Sequence, residues 1–442
     1  MRRRRRVLLA IAVAAVLASP YLGVNAAAAD PGGFTFGAVG DNGSDGPGDP
    51  GDSTSRTLRM IGQNQPAFVQ SLGDLAYDAS AASSVHSGAD WCTWTNGQIA
   101  STSGGTAVPY IIAAGNHEAQ DAKPGFAIED YTGASSCADP LRSITSFPTD
   151  PDTDAAKDSF YDFPASSPLL RVININPGLT YRTGGLRDYS QGSALYDWVK
   201  QAILDAKSKH EWVVLTYHVA YLNAGADHGA DMSTGYYAPT APQFGDIFAL
   251  AGETKVDLIL NGHEHNYQRS KQLRLTDACP RITHDRYDAA CTTDADGSPA
   301  APYVRGAGPV QLIIGTGGHK PSAVNADDGD FPFMLVADSG ADNCGYVSFT
   351  VTDTTFAGTF ENACAGALAD SFLIQGTAAP TPSATPTVPT TSPSAHPTPS
   401  PTLAPAAGAA PIAIVIGVLG GALVLVGAAW TVVAIRRRRS RH

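Results

Sequence analysis

The residues of this chain that could do chemistry lie in five short polar clusters, each following an apolar run. They are Asp41-Asn42-Gly43 after Phe34 to Val39, Asp74-Leu75-Ala76-Tyr77 after Phe68 to Leu72, Asn116-His117-Glu118 after Val108 to Ala113, His218 after Trp212 to Thr216, and His263-Glu264-His265 after Val256 to Leu260. Together they offer seven metal donors: Asp41, Asp74, Tyr77, Asn116, His218, His263 and His265. Seven are too many for one ion that must also hold water and substrate. They suit two ions sharing one bridging carboxylate, for which Asp74 is favoured. Carboxylates and a phenolate are hard donors that favour a trivalent ion, whereas imidazoles and an amide oxygen suit divalent zinc, manganese or iron. Glu118 and Glu264, beside these donors, are read as orienting histidines from outside the donor set. Singly, each cluster has an ordinary reading: an Asp-x-Gly is usually a turn, a lone tyrosine a core or surface phenol, and Gly-Asn-His-Glu a loop. Their order and their shared placement point to a metal site. His86, His284 and His319 have no such support, and Gly315 to Gly318 reads as a backbone turn at the rim.

The elements that must position these groups are strands, because in α/β sheets reactive side chains collect just beyond the carboxyl ends of strands. Helices are predicted at Ser53 to Asn64, at Gln191 to Lys207, where Leu195, Trp198, Val199, Ile203 and Leu204 fall at helical spacing, and at Ala241 to Ala251. Alternation of strand and helix builds parallel sheet. After His265 the pattern turns to strands joined by tight turns, at Val310 to Ile314, Gly345 to Val351, Thr355 to Phe360 and Ser371 to Ile374. These predict antiparallel additions forming a second sheet packed on the first. Two long segments, Gly115 to Asp162 and Asp277 to Pro309, read as irregular surface excursions shaping the rim. Six cysteines, none in Cys-x-x-Cys spacing, predict structural disulfides. Sequence proximity pairs Cys92 with Cys137, Cys279 with Cys291, and Cys344 with Cys364.

The ends of the chain read differently from its body. Arg2 to Arg6, the apolar Val7 to Leu17 and Ala27-Ala28-Ala29 form a secretory signal over 1–29. Residues 30–376 form the catalytic domain, and 377–405 is a stalk of Pro, Thr, Ser and Ala, roughly 90 Å long if extended at ~3.1 Å per residue. Residues 411–435 follow as a transmembrane helix. The uncharged run Ile412 to Ile435 reaches about 36 Å at ~1.5 Å per residue. The basic tail 436–442 is placed in the cytosol by the positive-inside rule, leaving the catalytic domain outside at the cell surface. A cell-wall sorting signal has a similar layout, but no Leu-Pro-x-Thr-Gly is present, so a retained anchor is preferred. Ten of the 29 basic residues lie in the two terminal clusters, so the body sets 19 basic against 41 acidic residues, a balance of −22. Such a body offers no nucleic-acid-binding surface. The sequence specifies no oligomeric state.

The five blocks Gly40-Asp41-Asn42-Gly43, Gly73-Asp74-Leu75-Ala76-Tyr77, Gly115-Asn116-His117-Glu118, Val214-Leu215-Thr216-Tyr217-His218 and Gly262-His263-Glu264-His265 resemble those of the purple acid phosphatases, within the calcineurin-like metallophosphoesterases. Generic members of that superfamily carry a histidine two after the first aspartate and an aspartate three after the second. Gly43 and Tyr77 stand there instead, which marks the purple group. The resemblance spans Phe34 to Gly318 and leaves no room for the N-terminal β-sandwich of plant members. It implies an α/β fold of two packed mixed β-sheets flanked by helices, the metallophosphoesterase α/β/β/α sandwich. It further implies Fe(III) held by Asp41, Tyr77 and His265, a divalent Zn, Mn or Fe held by Asn116, His218 and His263, and Asp74 bridging them. Such a site keeps a charge of about +1 and attracts phosphate within an acidic body. The implied activity is that of an exported acid phosphatase cleaving phosphomonoesters by attack of a metal-bound hydroxide. His117 is expected to contact phosphate or protonate the leaving group, and His228 to take the other such role. The rim segments carry no residues diagnostic of a leaving group. Diester or phosphoanhydride hydrolysis at the same site therefore stays open as the alternative, while a non-enzymatic surface protein conflicts with an intact donor set.

Overall fold

The computed structural model describes residues 33–43, 52–77, 85–137, 141, 145–148, 156–228, 243–338 and 342–376. The expected signal peptide, stalk, transmembrane helix and basic tail lie outside the described residues. Among the described residues no helix is long and apolar enough to cross a membrane.

Two mixed β-sheets form the body. The first runs, in spatial order, Tyr303–Val304, Ser371–Gln375, Thr355–Asn362, Gly345–Val351, Phe34–Val39, Val69–Ser71 and Tyr110–Ile111. The second runs Met334–Asp338, Tyr267–Ser270, Val310–Ile314, Leu258–Asn261, Trp212–Thr216, Leu170–Asn174, Ser159–Phe163 and Thr145–Ser146. Each has a parallel centre: Phe34–Val39 with Val69–Ser71 and Tyr110–Ile111 in one, and Leu170–Asn174, Trp212–Thr216, Leu258–Asn261 and Val310–Ile314 in the other. Helices make the crossovers, at Ser53–Asn64, Gly88–Ala100, Ala194–Ser208 and Gln243–Thr254.

Period-2 alternation sorts the side chains. Phe36 and Ala38 join Phe68, Val214, Leu260, Leu312 and Phe349 in one apolar cluster, while Val39, Val69 and Leu215 join Leu58, Ile61, Val199 and Ile203 from the helices in another. Phe36 stacks on Phe68 at 5.0 Å and on Phe349 at 4.8 Å. Each such buried ring stabilises the fold by about 1.5–3 kcal/mol. The helix Ser53–Asn64 starts where the Asp52 carboxylate accepts the Ser55 amide at 2.6 Å and stops at Gln65 in the left-handed region, φ 47°. It buries Leu58 and Ile61.

The second sheet is not built as the sequence suggested. The strands Gly345–Val351, Thr355–Asn362 and Ser371–Gln375 are antiparallel, but they extend the first sheet beside Phe34–Val39. The second sheet is instead seeded by the strands that precede His218 and His263. Two of its strands escaped prediction because they bury polar side chains: Leu170–Asn174 carries Arg171 and Asn174 inside and Tyr267–Ser270 carries Gln268 and Arg269, each with hydrogen-bonding partners. Gly88–Ala100 was also missed. Its Gly, Asn and Thr are poor helix formers, and it is held by a Ser87 cap, buried Trp91 and the Cys92–Cys137 bridge. It lies ahead of the Gly115 to Asp162 stretch, which itself holds short helical turns and strands. The three disulfides are those expected: Cys92–Cys137, Cys279–Cys291 and Cys344–Cys364.

Candidate metal centre

All five polar clusters leave the carboxyl ends of the parallel strands and meet on one side of the two sheets. Their loops are stitched together through the backbone: Asp41 N donates to Gly73 O at 3.1 Å, Asn42 N to Asp74 O at 3.0 Å, and Gly262 N to His218 O at 3.0 Å. Asp41, Asp74 and His263 sit at φ 59°, 51° and 72°. Such left-handed conformations cost non-glycine residues of order 1 kcal/mol or more each, and they persist only where the surroundings enforce them. Gly115 permits a close approach, since a Cβ there would overlap the Asp74 carboxylate.

The seven candidate donors fall into two groups that share one residue. Donor atoms of Asp74, His218 and His263 lie within 4.8 Å of one another, and so do those of Asp41, Asp74 and His265. Asn116 joins the first group, with Oδ1 3.0 Å from both His218 Nε2 and His263 Nδ1. Tyr77 joins the second, its hydroxyl 2.7 Å from Asp41 Oδ1 and 2.9 Å from His265 Nε2. The shared member is Asp74, the carboxylate favoured as the bridge.

Surrounding groups turn the lone pairs inward. His218 Nδ1–H donates to Leu72 O at 2.7 Å and His265 Nδ1–H to Lys320 O at 3.1 Å, which leaves each Nε2 facing the centre as an acceptor. The Asn116 amide donates to Asp121 Oδ2 at 2.9 Å, so its oxygen also faces in. His218 Nε2 thus meets Asn116 Oδ1 at 3.0 Å and Asp74 Oδ1 at 3.3 Å, acceptor against acceptor. Only a cation or a proton reconciles such contacts. Donors about 2.0–2.1 Å from a common ion lie roughly 3.0–3.4 Å apart, so the spacing fits one. The donor set therefore fits two ions.

Buried side by side, these groups shift one another's protonation. Burial, aided by the charge of Asp74, pushes Asp41 up to about 7. Burial also acts upward on Asp74, but the facing His218, His117 and His263 outweigh it and hold that carboxyl well below the ordinary range. Burial opposes charge on His218, yet Asp74 and Asp41 raise it to about 9. Burial together with neighbouring imidazoles lowers His263 and takes His265 down to about 3. Burial and the two aspartates push the Tyr77 phenol well above its usual value.

The two histidines expected beside the donors are there. His117 donates its backbone N–H to Asp74 Oδ1 at 3.0 Å, and its ring lies 4.3 Å from that of Tyr77. The His228 ring lies 4.7 Å from His263 and 5.4 Å from His265, and burial lowers its pKa. The two glutamates act on loops rather than on imidazoles. Glu118 accepts the amides of Leu75 at 2.9 Å and Gly115 at 3.0 Å, tying the Asp74 loop to the Asn116 loop. Glu264 Oε2 accepts the amide of His228 at 2.9 Å. His319, which has no support as a site residue from sequence alone, stacks on Tyr77 at 3.7 Å. The available signal was positional: Gly315 to His319 follows the buried strand Val310–Ile314, the same design as the other five clusters.

Comparison with known proteins agrees with this geometry. A profile of the calcineurin-like phosphoesterase family matches residues 34–267. Two uncharacterized proteins of Mycobacterium tuberculosis, MT2654 and Rv2577, are each 29% identical over 216 residues, covering 47% of this chain and 36% of theirs. The match thus spans about a third of the length of these curated relatives. The structure of the purple acid phosphatase PPD1 from yellow lupin (Lupinus luteus) seeds is similar with a TM-score of 0.53 at 18% identity, covering 78% of this chain and 54% of that one. At that identity the likeness shows the shared fold.

Proposed function

The chain belongs to the calcineurin-like phosphoesterase family, and we propose on that premise that it is an exported, membrane-anchored acid phosphatase that hydrolyses phosphomonoesters. Family and fold make it a metal-dependent phosphoester hydrolase, and the two donor groups sharing Asp74 support a binuclear centre. The observation that carries the finer assignment is the asymmetry of those groups. One has the Tyr77 phenol and two carboxylates, suited to Fe(III). The other has an amide oxygen and two imidazoles, suited to divalent Zn, Mn or Fe. When bound, such ions supply an acidified water as nucleophile and offset charge on the phosphoryl group.

The chain's own groups then orient and move protons. Leu72 O and Lys320 O fix the tautomers of His218 and His265. His228, whose charged form burial disfavours, is assigned a hydrogen bond to a phosphoryl oxygen. His117, on the Asn116 loop, is assigned delivery of the proton to the leaving oxygen. Three disulfides support an oxidising compartment. The sequence features of the signal, stalk and anchor support display at the cell surface.

The test is hydrolysis of an aryl phosphate against its bis-aryl diester by the purified full-length protein. Faster release from the monoester is expected. Preference for the diester would replace the substrate class, and inertness to both with two ions bound would overturn the proposal.

A further inference from the structure

We infer that His319 is a positioning residue of the metal centre, and that it fixes the plane of the Tyr77 phenol. The inference rests on the proposed assignment of Tyr77 as a ligand of iron.

The loop that carries His319 is built into the site. Gly315 N donates to Asn266 O at 3.1 Å, Gly317 N to Gly40 O at 2.9 Å and His319 N to Asp41 O at 3.1 Å, which stitches it to the loops bearing Asp41 and His265. The His319 Nδ1–H donates to Gly43 O at 2.6 Å, fixing both the tautomer and the rotation of the ring. That ring lies flat on Tyr77, with centroids 3.7 Å apart and planes 6° from parallel. It meets His265 edge-on, at 4.6 Å and 83°. Gly43 completes the clamp, since a Cβ there would overlap the Tyr77 ring. Three imidazoles, those of His319, His117 and His265, and a glycine thus converge on one phenol whose oxygen points at Asp41 and His265, with His319 alone lying flat on it.

What this clamp controls follows from the shape of tyrosine. The hydroxyl oxygen lies on the axis about which the ring turns, so turning the ring barely moves the oxygen. It does rotate the π lone pair of that oxygen, and overlap of this pair with the ion sets the tyrosinate charge-transfer band. A contact that merely packed the core would alter melting temperature and leave the band per bound iron alone.

The experiment compares the full-length wild-type protein with H319A, H319L and H319F, measuring the visible spectrum per bound iron, the rate of iron loss to a chelator, and the melting temperature. H319L fills the volume without a flat ring and replaces H319A should that variant not fold. H319A and H319L are expected to shift the visible band or weaken it about twofold, and to lose iron about tenfold faster, in the range seen when groups supporting metal ligands are removed. H319F, which keeps a flat face, is expected to retain the wild-type band. An unchanged band and unchanged iron loss in H319A and H319L overturn the inference and leave the phosphatase reading standing. A wild-type protein that is active with two ions and has no visible band overturns the Tyr77 assignment and this inference with it.

Discussion

Two buried charged regions of this molecule are built on opposite plans. Around Arg269, every charge finds its counterpart within the chain. The guanidinium donates to both oxygens of Asp370 at 2.7 and 2.8 Å, and Tyr267 donates to the same carboxylate at 2.7 Å. Arg171 is similarly matched to Asp162 and Asp205. At the metal centre, acceptors face acceptors, and among the described residues neither Asp41 nor Asp74 pairs with a lysine or arginine. The chain neutralises its own charges where the task is to hold the sheets. Where acceptors face one another, only a proton or a bound cation reconciles them.

The contrast is broken most severely by removing the shared carboxylate. Asp74→Asn should cut phosphate release by about 10³-fold or more, the upper end of what one electrostatic group supplies. Steady-state release from an aryl phosphate checks this, and near-normal turnover would mean that Asp74 bridges nothing. Next comes the self-contained region. Arg269→Met strands Asp370 and should cost about 3–5 kcal/mol in urea denaturation, while metal content per folded chain stays unchanged. Stripping the ions is expected to have the reverse pattern. It should abolish activity and lower the unfolding free energy in urea, by about 2.7 kcal/mol if ions are held at a hundred times their dissociation constant, and re-addition should restore both.

The smallest effect concerns protons. In the ion-free site, His218 is pushed up to about 9 and Asp41 to about 7, so both hold protons below those values. Each proton must leave before an ion binds, so affinity falls as pH drops through 9 and again through 7. The dependence is up to about tenfold per pH unit for each proton. Calorimetry in buffers of different ionisation enthalpy counts the protons released, and a count of zero would contradict the displacement of protons from His218 and Asp41 by the ions.

The sequence made the site more legible than the scaffold. Asp41, Asp74, Tyr77, Asn116, His218, His263 and His265 were readable because metal chemistry restricts residue types and strand ends restrict where they fall. His319 was not, because one histidine after a glycine-rich turn has no partner at fixed spacing, and its partner Tyr77 is 242 positions away. Strands such as Trp212–Thr216 and Val310–Ile314 were visible as apolar runs. Leu170–Asn174 was hidden because Arg171 interrupts it, and that arginine is buried only by virtue of Asp162 and Asp205, which no local pattern reveals. Sheet membership of the late strands was equally hidden, since alternation shows that a face is buried and not against what.

The central claim, that one shared carboxylate joins two donor groups into a two-ion centre, is tested most directly by metal analysis of the purified full-length protein beside Asp74→Asn. Two ions per wild-type chain, one of them iron, and fewer than two in the variant are expected. A single ion in the wild type, or two ions undisturbed by the substitution, would contradict it.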